Sequence, residues 1–413
     1  MSETEPNPSA WAFKSFRFFT FAGILLPFAS QIQSLIIGWQ VYEIKHDPLY
    51  LGFIGLVEAL PALSLALVAG YVVDRGNPLK ILKNVARLNI FSSLMLLTVS
   101  LPMLGVSQDL HLFALYLAAF LSGVGRGFRM PSNTALVPQL VPRNVLYISS
   151  AWTTSSTSMA FALGPALGGF LFAWKGPMAP YSLDFLAFST GLLLLSLIKL
   201  DYQRPSKMTQ SPFQNLTAGL RYVFGHQLLL SALALDMFAV LFGGAVAMLP
   251  IFADSILHVG PKGLGILRAA PSLGALIGSF IWIRFPGRRH SGKILLVTVA
   301  GFGFCMIGFG FSTSFGLSLL LLAFGGAFDS VSMIIRGAIV QLSAPPEMRG
   351  RVGAVNSMFI GVSNQLGEFE SGVAARLMGT APSVIAGGVV TLIVVVLTAL
   401  KAPRLRQMEL NKL

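Results

Sequence analysis

The chain has 413 residues, of which 54% are hydrophobic and only 11% are charged, and its formal net charge is +13. Soluble domains carry about 25% charged residues, so this chain has too few to cover a soluble surface of its size. The basic residues lie in short clusters between apolar stretches, which is typical of membrane proteins and argues against nucleic-acid binding. Cys305 is the only cysteine, which excludes an intramolecular disulfide and a metal site built from cysteines.

Long apolar runs follow one another along the chain, and each is long enough to cross a bilayer as a helix, which needs roughly 20 residues. A closed β-barrel is disfavoured because stretches such as 192–195 and 389–396 do not alternate. We therefore predict an all-α integral membrane protein with twelve transmembrane helices. The predicted spans are 16–42, 49–73, 79–104, 111–138, 145–174, 178–199, 227–257, 261–285, 292–311, 315–343, 350–379 and 381–400.

The distribution of basic residues predicts the orientation. With both termini placed in the cytoplasm, 21 of the 29 Lys and Arg residues fall on the cytoplasmic side, and only Lys45, Lys175 and Lys262 fall on the other. This bias favours a multi-pass protein of the cytoplasmic (inner) membrane with both ends inside. Residues 1–10 lack the basic-then-apolar order of a cleavable signal peptide, so we expect the first span to act as an uncleaved insertion signal.

The longest polar interval divides the chain into two halves. We predict an N-terminal six-helix bundle over 1–199, a cytoplasmic linker over 200–226 and a C-terminal six-helix bundle over 227–413. Within the linker, 213–224 is amphipathic and is predicted to lie along the membrane surface.

A shift of 203 residues brings the two halves into partial register. It places 135–137 on 338–340, Pro142 on Pro345, Gly164 on Gly367 and Gly169 on Gly372. Parallel repeats of six spans occur in one large class of transporters, so the shift favours duplication.

Gly70, Asp74 and Arg75 close the second span in the pattern glycine, three residues, aspartate, arginine, and Lys80 and Lys83 follow. This pattern resembles the loop signature of the major facilitator superfamily, although Asn77 and Pro78 replace its next glycine and arginine. Gly70 would let two helices approach, and Asp74 could pair with an arginine or cap a helix.

The fifth span contains Gly164, Pro165, Gly168 and Gly169, which resemble the antiporter motif of the same superfamily. Small residues and a proline favour close packing and a local kink, although ordinary helix packing is the alternative. The stretches 249–275 and 346–372 also resemble bacterial drug:proton antiporters of the enterobactin-exporter type. The resemblance covers nearly the whole chain and implies efflux.

Charged and amide side chains inside the predicted spans each need a partner, a cavity or a function, because charges at the bilayer centre cost about 2.5–3.5 kcal/mol on insertion scales. In the superfamily, spans one, four, seven and ten line the central cavity. The matching spans here carry polar residues that we take as candidates for the substrate cavity and proton coupling: Gln31, Arg126, Arg129, Asp236, Asp329 and Arg336.

Arg126 and Asp329 both fall near mid-span, and the resemblance implies that their helices face each other. We predict that they form a charge pair which a proton or an anionic substrate disrupts, since a buried aspartate that loses its partner can carry a proton. A structural pair that locks the halves together is the alternative. Glu368 is assigned to gating or packing, and it could pair with Arg336 or Arg376.

Other classes of function have little support. The chain lacks a G-x-x-x-x-G-K-[ST] nucleotide-binding loop and metal-ligand spacing of its histidines, so we expect no cofactor and no enzymatic activity. The leading interpretation is a monomeric secondary transporter that exports a small amphipathic molecule (a drug, siderophore or metabolite), driven by protons. The alternatives are a lysophospholipid flippase or uptake permease on the same fold and, from another class, a membrane receptor or scaffold that transports nothing.

Overall fold

The computed structural model describes residues 9–200, 212–284, 290–345 and 347–412, and all regular secondary structure in these ranges is helical. The helices discussed below are α1 Lys14–Lys45, α2 Pro48–Arg75, α3 Pro78–Val99, α4 Gln108–Leu140, α5 Leu146–Lys175, α6 Met178–Ser196, α7 Pro212–Gly225, α8 Gln227–Gly243, α9 Gly260–Arg284, α10 Ser291–Phe311, α11 Phe315–Ser343, α12 Arg349–Met378 and α13 Thr380–Lys401.

Ten helical segments of the described residues are long and apolar enough to cross a membrane, and one of them is the segment Gln227–Ile256 that begins with α8. α3 and α12 coincide with predicted spans but are not among these ten. The first half of α3 carries Lys80, Lys83 and Arg87, and α12 carries charged residues at both ends and in its second half. The helical, multi-pass character of the chain is therefore confirmed. The count of twelve spans stays a prediction.

The seventh predicted span, 227–257, is not one regular helix. α8 ends at Gly243, and Gly244 adopts φ −79° and ψ 83°, outside the helical region. The chain then continues through the 3₁₀ turn Ala245–Met248 and a π-helical turn, Phe252–Ile256. Two adjacent glycines allow this break, and π turns inside spans often mark functional positions.

The described residues form two compact units, and the boundary between them falls inside α1 and α2. Unit 1 contains the chain up to Ile37 together with 60–200, and unit 2 contains 38–59 together with the chain from 212 onward. Each unit has its own apolar core. The core of unit 1 includes Phe16, Leu26, Leu82, Leu136 and Phe188. The core of unit 2 includes Leu229, Leu295, Ile335, Ile339 and Val352.

The amphipathic helix α7 packs on protein. Val223 is fully buried in the core of unit 2, and Leu216 and Leu220 pack against that core. The Tyr222 hydroxyl donates a 3.0 Å hydrogen bond to the Ser343 carbonyl. The apolar side that the sequence assigned to the membrane surface is thus covered by other helices of unit 2.

Two helix ends match at the predicted offset of 203 residues. Gly176 ends α5 with φ 67°, and Gly379 ends α12 with φ 91°. Left-handed backbone after a helix strongly favours glycine. The match supports duplication of a six-span unit, which itself stays a prediction.

Candidate transport site

A charged cluster lies inside unit 2, between α8 and α11. Arg336 of α11 forms an ion pair through Nη1 with Oδ2 of Asp236 on α8. Its Nη2 lies 3.7 Å from Oδ1 of Asp329, which stands seven residues, or about two turns, earlier on the same side of α11. These three residues are called the Arg336 cluster below. The sequence selected all three as candidates, and the structure brings them together.

The two carboxylates of the Arg336 cluster differ in exposure. The side chain of Asp236 is only 8% exposed and that of Arg336 only 5%, whereas that of Asp329 is 40% exposed. Because two carboxylates share one guanidinium, the three side chains of the cluster together carry one net negative charge when all are ionised. Such an arrangement can accept a proton or a cationic group at Asp329 while Asp236 keeps Arg336 neutralised.

The polar residues predicted on α4 and α1 belong to unit 1. Arg129 Nη1 lies 3.5 Å from the hydroxyl of Ser30 on α1, and Arg126 is exposed on α4. Gln31 is partly buried on α1. Arg126 and Asp329 belong to different units, and their pairing stays a prediction. Within unit 2, Asp329 is paired with Arg336.

The glycine and proline residues of the antiporter-like motif lie where α5 meets α1. Gly164, Pro165, Gly168 and Gly169 are all buried. A Cβ added at Gly164 would stand 2.8 Å from Cβ of Gln31, and one added at Gly168 would stand 3.4 Å from Cα of Ile32. The motif therefore lets α5 approach the backbone of α1 closely. This is the packing role expected of small residues in membrane helices.

The loop signature at the end of α2 begins with Gly70, where the sequence predicts a close approach of two helices. Among the described residues, a Cβ added at Gly70 would meet no atom of another helix within 4 Å, and the helix approach predicted there stays a prediction. Arg75 donates a hydrogen bond to the Tyr71 hydroxyl, and its guanidinium stands 4.2 Å from the centroid of that ring. The side chain of Asp74 lies outside the described residues.

Asn77, which departs from the superfamily pattern, has a clear structural role. Its Oδ1 accepts hydrogen bonds from the backbone N–H groups of Leu79 at 2.9 Å and Lys80 at 3.2 Å. Pro78 occupies the first position of α3, where its missing N–H has no consequence. Asn77 and Pro78 therefore start α3 as a capped helix.

The end of α1 and the start of α2, residues 38–59, are called the tip segment, and they pack against α12 within unit 2. Arg376 Nη1 lies 3.0 Å from Asp47 Oδ2. A Cβ added at Gly52 would stand 3.0 Å from Cα of Gly372. The two backbones thus touch through a glycine on each side.

Glu368 lies at the same contact. A Cβ added at Gly55 would stand 2.5 Å from Cβ and 2.9 Å from Oε2 of Glu368. Arg336 pairs with Asp236 and Asp329, and Arg376 pairs with Asp47, and the pairing predicted for Glu368 stays a prediction. Its position favours the assignment to gating or packing, which stays a prediction.

One buried carboxylate was overlooked in the sequence. Asp184 of α6 is fully buried, and the Ser93 hydroxyl of α3 donates a hydrogen bond to its Oδ1. Asp184 is the only acidic residue between 178 and 199. The criterion that selected Asp236 and Asp329, a carboxylate within an apolar run, would have found it.

Solved structures share this fold. A D-xylose–proton symporter matches with a TM-score of 0.76 at 14% identity, covering 96% of this chain and 99% of that chain. A transporter of the POT family in complex with 5-aminolevulinic acid matches with a TM-score of 0.74 at 13% identity, covering 95% and 97%. The chain thus shares its fold with these transporters.

Sequence relatives define its family more narrowly. The chain belongs to the family of transmembrane secretion effectors, whose model matches residues 8–413. It is 26% identical to the enterobactin exporter EntS of Shigella boydii serotype 18 over 298 residues, which is 72% of this chain and 71% of the relative. The enterobactin exporter EntS of Escherichia coli O81 matches with the same identity and coverage.

Proposed function

We propose that the protein is a secondary active transporter that exports a small amphipathic molecule in exchange for protons, by alternating access. The observation that carries the proposal is the Arg336 cluster, in which two carboxylates share one arginine inside membrane-spanning helices. Buried charges of this kind are expensive in a membrane, and they are typical of ion and substrate pathways. The relatives named enterobactin exporters favour a siderophore, a drug or a related metabolite as the substrate.

Asp329 is the carboxylate that we assign to proton uptake. It is the more exposed of the two, and its distance to Arg336 is 3.7 Å, so it holds the arginine only loosely. When Asp329 takes up a proton, the cluster becomes neutral, because Asp236 and Arg336 balance each other. A change in net charge at a buried site alters the relative stability of two conformations, which is the basis of coupled transport.

The tip segment is the element that we propose to release during alternating access. Its ion pair with α12 joins Arg376, whose side chain is 54% exposed, to Asp47, whose side chain is 26% exposed. Exposed pairs of this kind contribute only about 0–1 kcal/mol. The glycine contacts are tight but consist mainly of backbone. Close backbone packing therefore holds the segment more than the ion pair does. The segment can separate from α12 without leaving a buried charge unpaired.

We further propose that the protein acts as a monomer in the cytoplasmic membrane with both termini in the cytoplasm. The basic residues support this orientation, because positive charge is retained on the cytoplasmic side of short loops.

Everted membrane vesicles from cells that express the protein test the proposal. Siderophores, cationic dyes and lysophospholipids are offered at the exposed cytoplasmic face, with and without a protonophore. An exporter driven by protons accumulates its substrate, and the protonophore abolishes accumulation. Movement that ignores the protonophore would favour a flippase or facilitator, and loss of substrate from preloaded vesicles would favour an uptake permease. Binding of the substrate without any movement would favour a receptor.

A further inference from the structure

A buried polar layer crosses three helices of unit 1. Gln33 of α1 donates a 3.2 Å hydrogen bond from Nε2 to the Ser92 hydroxyl of α3. Ser93, the next residue, donates to Oδ1 of Asp184 on α6. These four residues, which we call the α3 polar layer, are each no more than 3% exposed.

Asp184 is poorly satisfied as a charged group. Ser93 is its one hydrogen-bond partner among the described residues, and Oδ2 has none. An ionised carboxylate offers about four acceptor positions and has no donor of its own. A carboxylate that is buried without a counter-ion or several donors is among the least stable arrangements in a protein interior.

No basic side chain faces Asp184 from the described helices that pack against α6 in unit 1. On α6 itself, the nearby titratable group is Tyr181, which is also fully buried. The charged or titratable residues of the unit 1 parts of these helices are Lys14 and Arg17 at the start of α1, Lys80, Lys83 and Arg87 in the first half of α3, and Tyr147 and Lys175 at the two ends of α5. The basic residue nearest to Ser93 along α3 is Arg87, six positions away.

From this geometry we propose that Asp184 carries a proton in the conformation described and is a second site of proton exchange, separate from the Arg336 cluster. The neutral acid keeps the hydrogen bond from Ser93 and removes the uncompensated charge. Release leaves the carboxylate behind and passes the proton to water, so it requires that α3 and α6 move apart enough to hydrate Oδ2. The role in transport rests on the proposed proton coupling.

A metal ion fits the α3 polar layer less well than a proton does. Hard cations such as Ca²⁺ take about 6–8 oxygen ligands. Around Asp184 the described contacts supply the two carboxylate oxygens and the Ser93 hydroxyl. Groups of three or more His, Cys, Asp or Glu side chains with metal-binding geometry are not found among the described residues.

Infrared spectroscopy of the full chain in liposomes tests the protonation state. Spectra of the wild type, Asp184→Asn and the exposed control Asp109→Asn are compared at neutral pH and after a step to alkaline pH. A carboxylic acid has a carbonyl band distinct from those of carboxylate and amide. We expect a band that is lost in Asp184→Asn, kept in Asp109→Asn and reduced by the alkaline step. A carbonyl band that is the same in the wild type and in Asp184→Asn would overturn the proposal. A band that disappears when sodium is added at constant pH would overturn it as well.

The role in the transport cycle has its own measurement. The number of protons moved per substrate is compared between the wild type and Asp184→Asn, with Ser93→Ala as a second variant in case the first fails to fold. We expect Asp184→Asn to transport with one proton fewer per substrate, and Ser93→Ala to shift the pH at which the infrared band disappears. A purely structural Asp184 would leave the proton ratio unchanged.

The two measurements separate this inference from the proposed function. Suppose that the wild type moves substrate without protons while the Asp184 band responds to pH. Proton coupling is then refuted, and the proposal that Asp184 carries an exchangeable proton still stands. If the wild type couples protons and the Asp184 band is missing, the proposed function stands and this inference is overturned.

Discussion

Removing the arginine from the Arg336 cluster should destabilise the protein far more than removing either carboxylate. Arg336→Gln leaves Asp236, whose side chain is 8% exposed, without its ion-pair partner. Loss of one member of a buried pair costs about 3–5 kcal/mol, because the remaining charge stays buried. Asp329→Asn should cost about 0–1 kcal/mol, since that side chain is 40% exposed and lies 3.7 Å from Arg336. The loss of stability in Asp236→Asn should lie between these two values, because Arg336 still has Asp329 as an ion-pair partner.

Thermal unfolding of the purified protein in detergent, followed by intrinsic fluorescence, measures these differences. The double variant Asp236→Asn/Arg336→Gln is the matched control, since it replaces both buried charges by amides. We expect it to unfold at a higher temperature than Arg336→Gln alone. The reasoning is refuted if the double variant is no more stable than the single one, or if Asp329→Asn is as damaging as Arg336→Gln.

The remaining predictions concern the helix contacts. Gly274→Ala should destabilise the protein by roughly 1–3 kcal/mol, because the new Cβ would overlap the Ala323 carbonyl oxygen. Gly70→Ala, in open space, should leave the melting temperature unchanged. Gly55→Val should impair packing of the tip segment and lower the transport rate, with stability monitored by the same melting assay, and a wild-type rate would contradict the proposed release of this segment. Asp47→Asn should change stability by less than about 1 kcal/mol, so a large fall in melting temperature would show that the exposed pair is stronger than its geometry indicates.

The membrane-spanning helices could be predicted from the sequence because hydrophobic length is a local property. Runs of apolar residues gave the approximate position of each long helix, whereas details at the ends depended on single residues. The break after Gly243 was missed, because the surrounding run remains apolar through the irregular turns. The apolar side of α7 was correctly located along the chain, but which surface covers it depends on the three-dimensional packing.

The candidate site was predictable in its members and not in its pairing. Asp236, Asp329 and Arg336 stand out as charges within apolar runs, and the spacing of the last two places them on one side of a helix. The sequence does not show which helix faces that side, so the contact with α8 was not foreseen. Gly70 shows a different limit, because its motif predicts a packing contact and the described residues leave open space around that glycine.

Proton movement in proteoliposomes tests the central claim most directly. An internal pH indicator reports proton flux across a membrane with an imposed pH gradient, when a transported substrate is added to the wild type or to Asp329→Asn. We predict substrate-dependent proton flux in the wild type and its loss in Asp329→Asn, with the variant still folded and able to bind substrate. Substrate movement without proton flux in the wild type, or unchanged coupling in Asp329→Asn, would contradict the assignment of the Arg336 cluster to proton-coupled export.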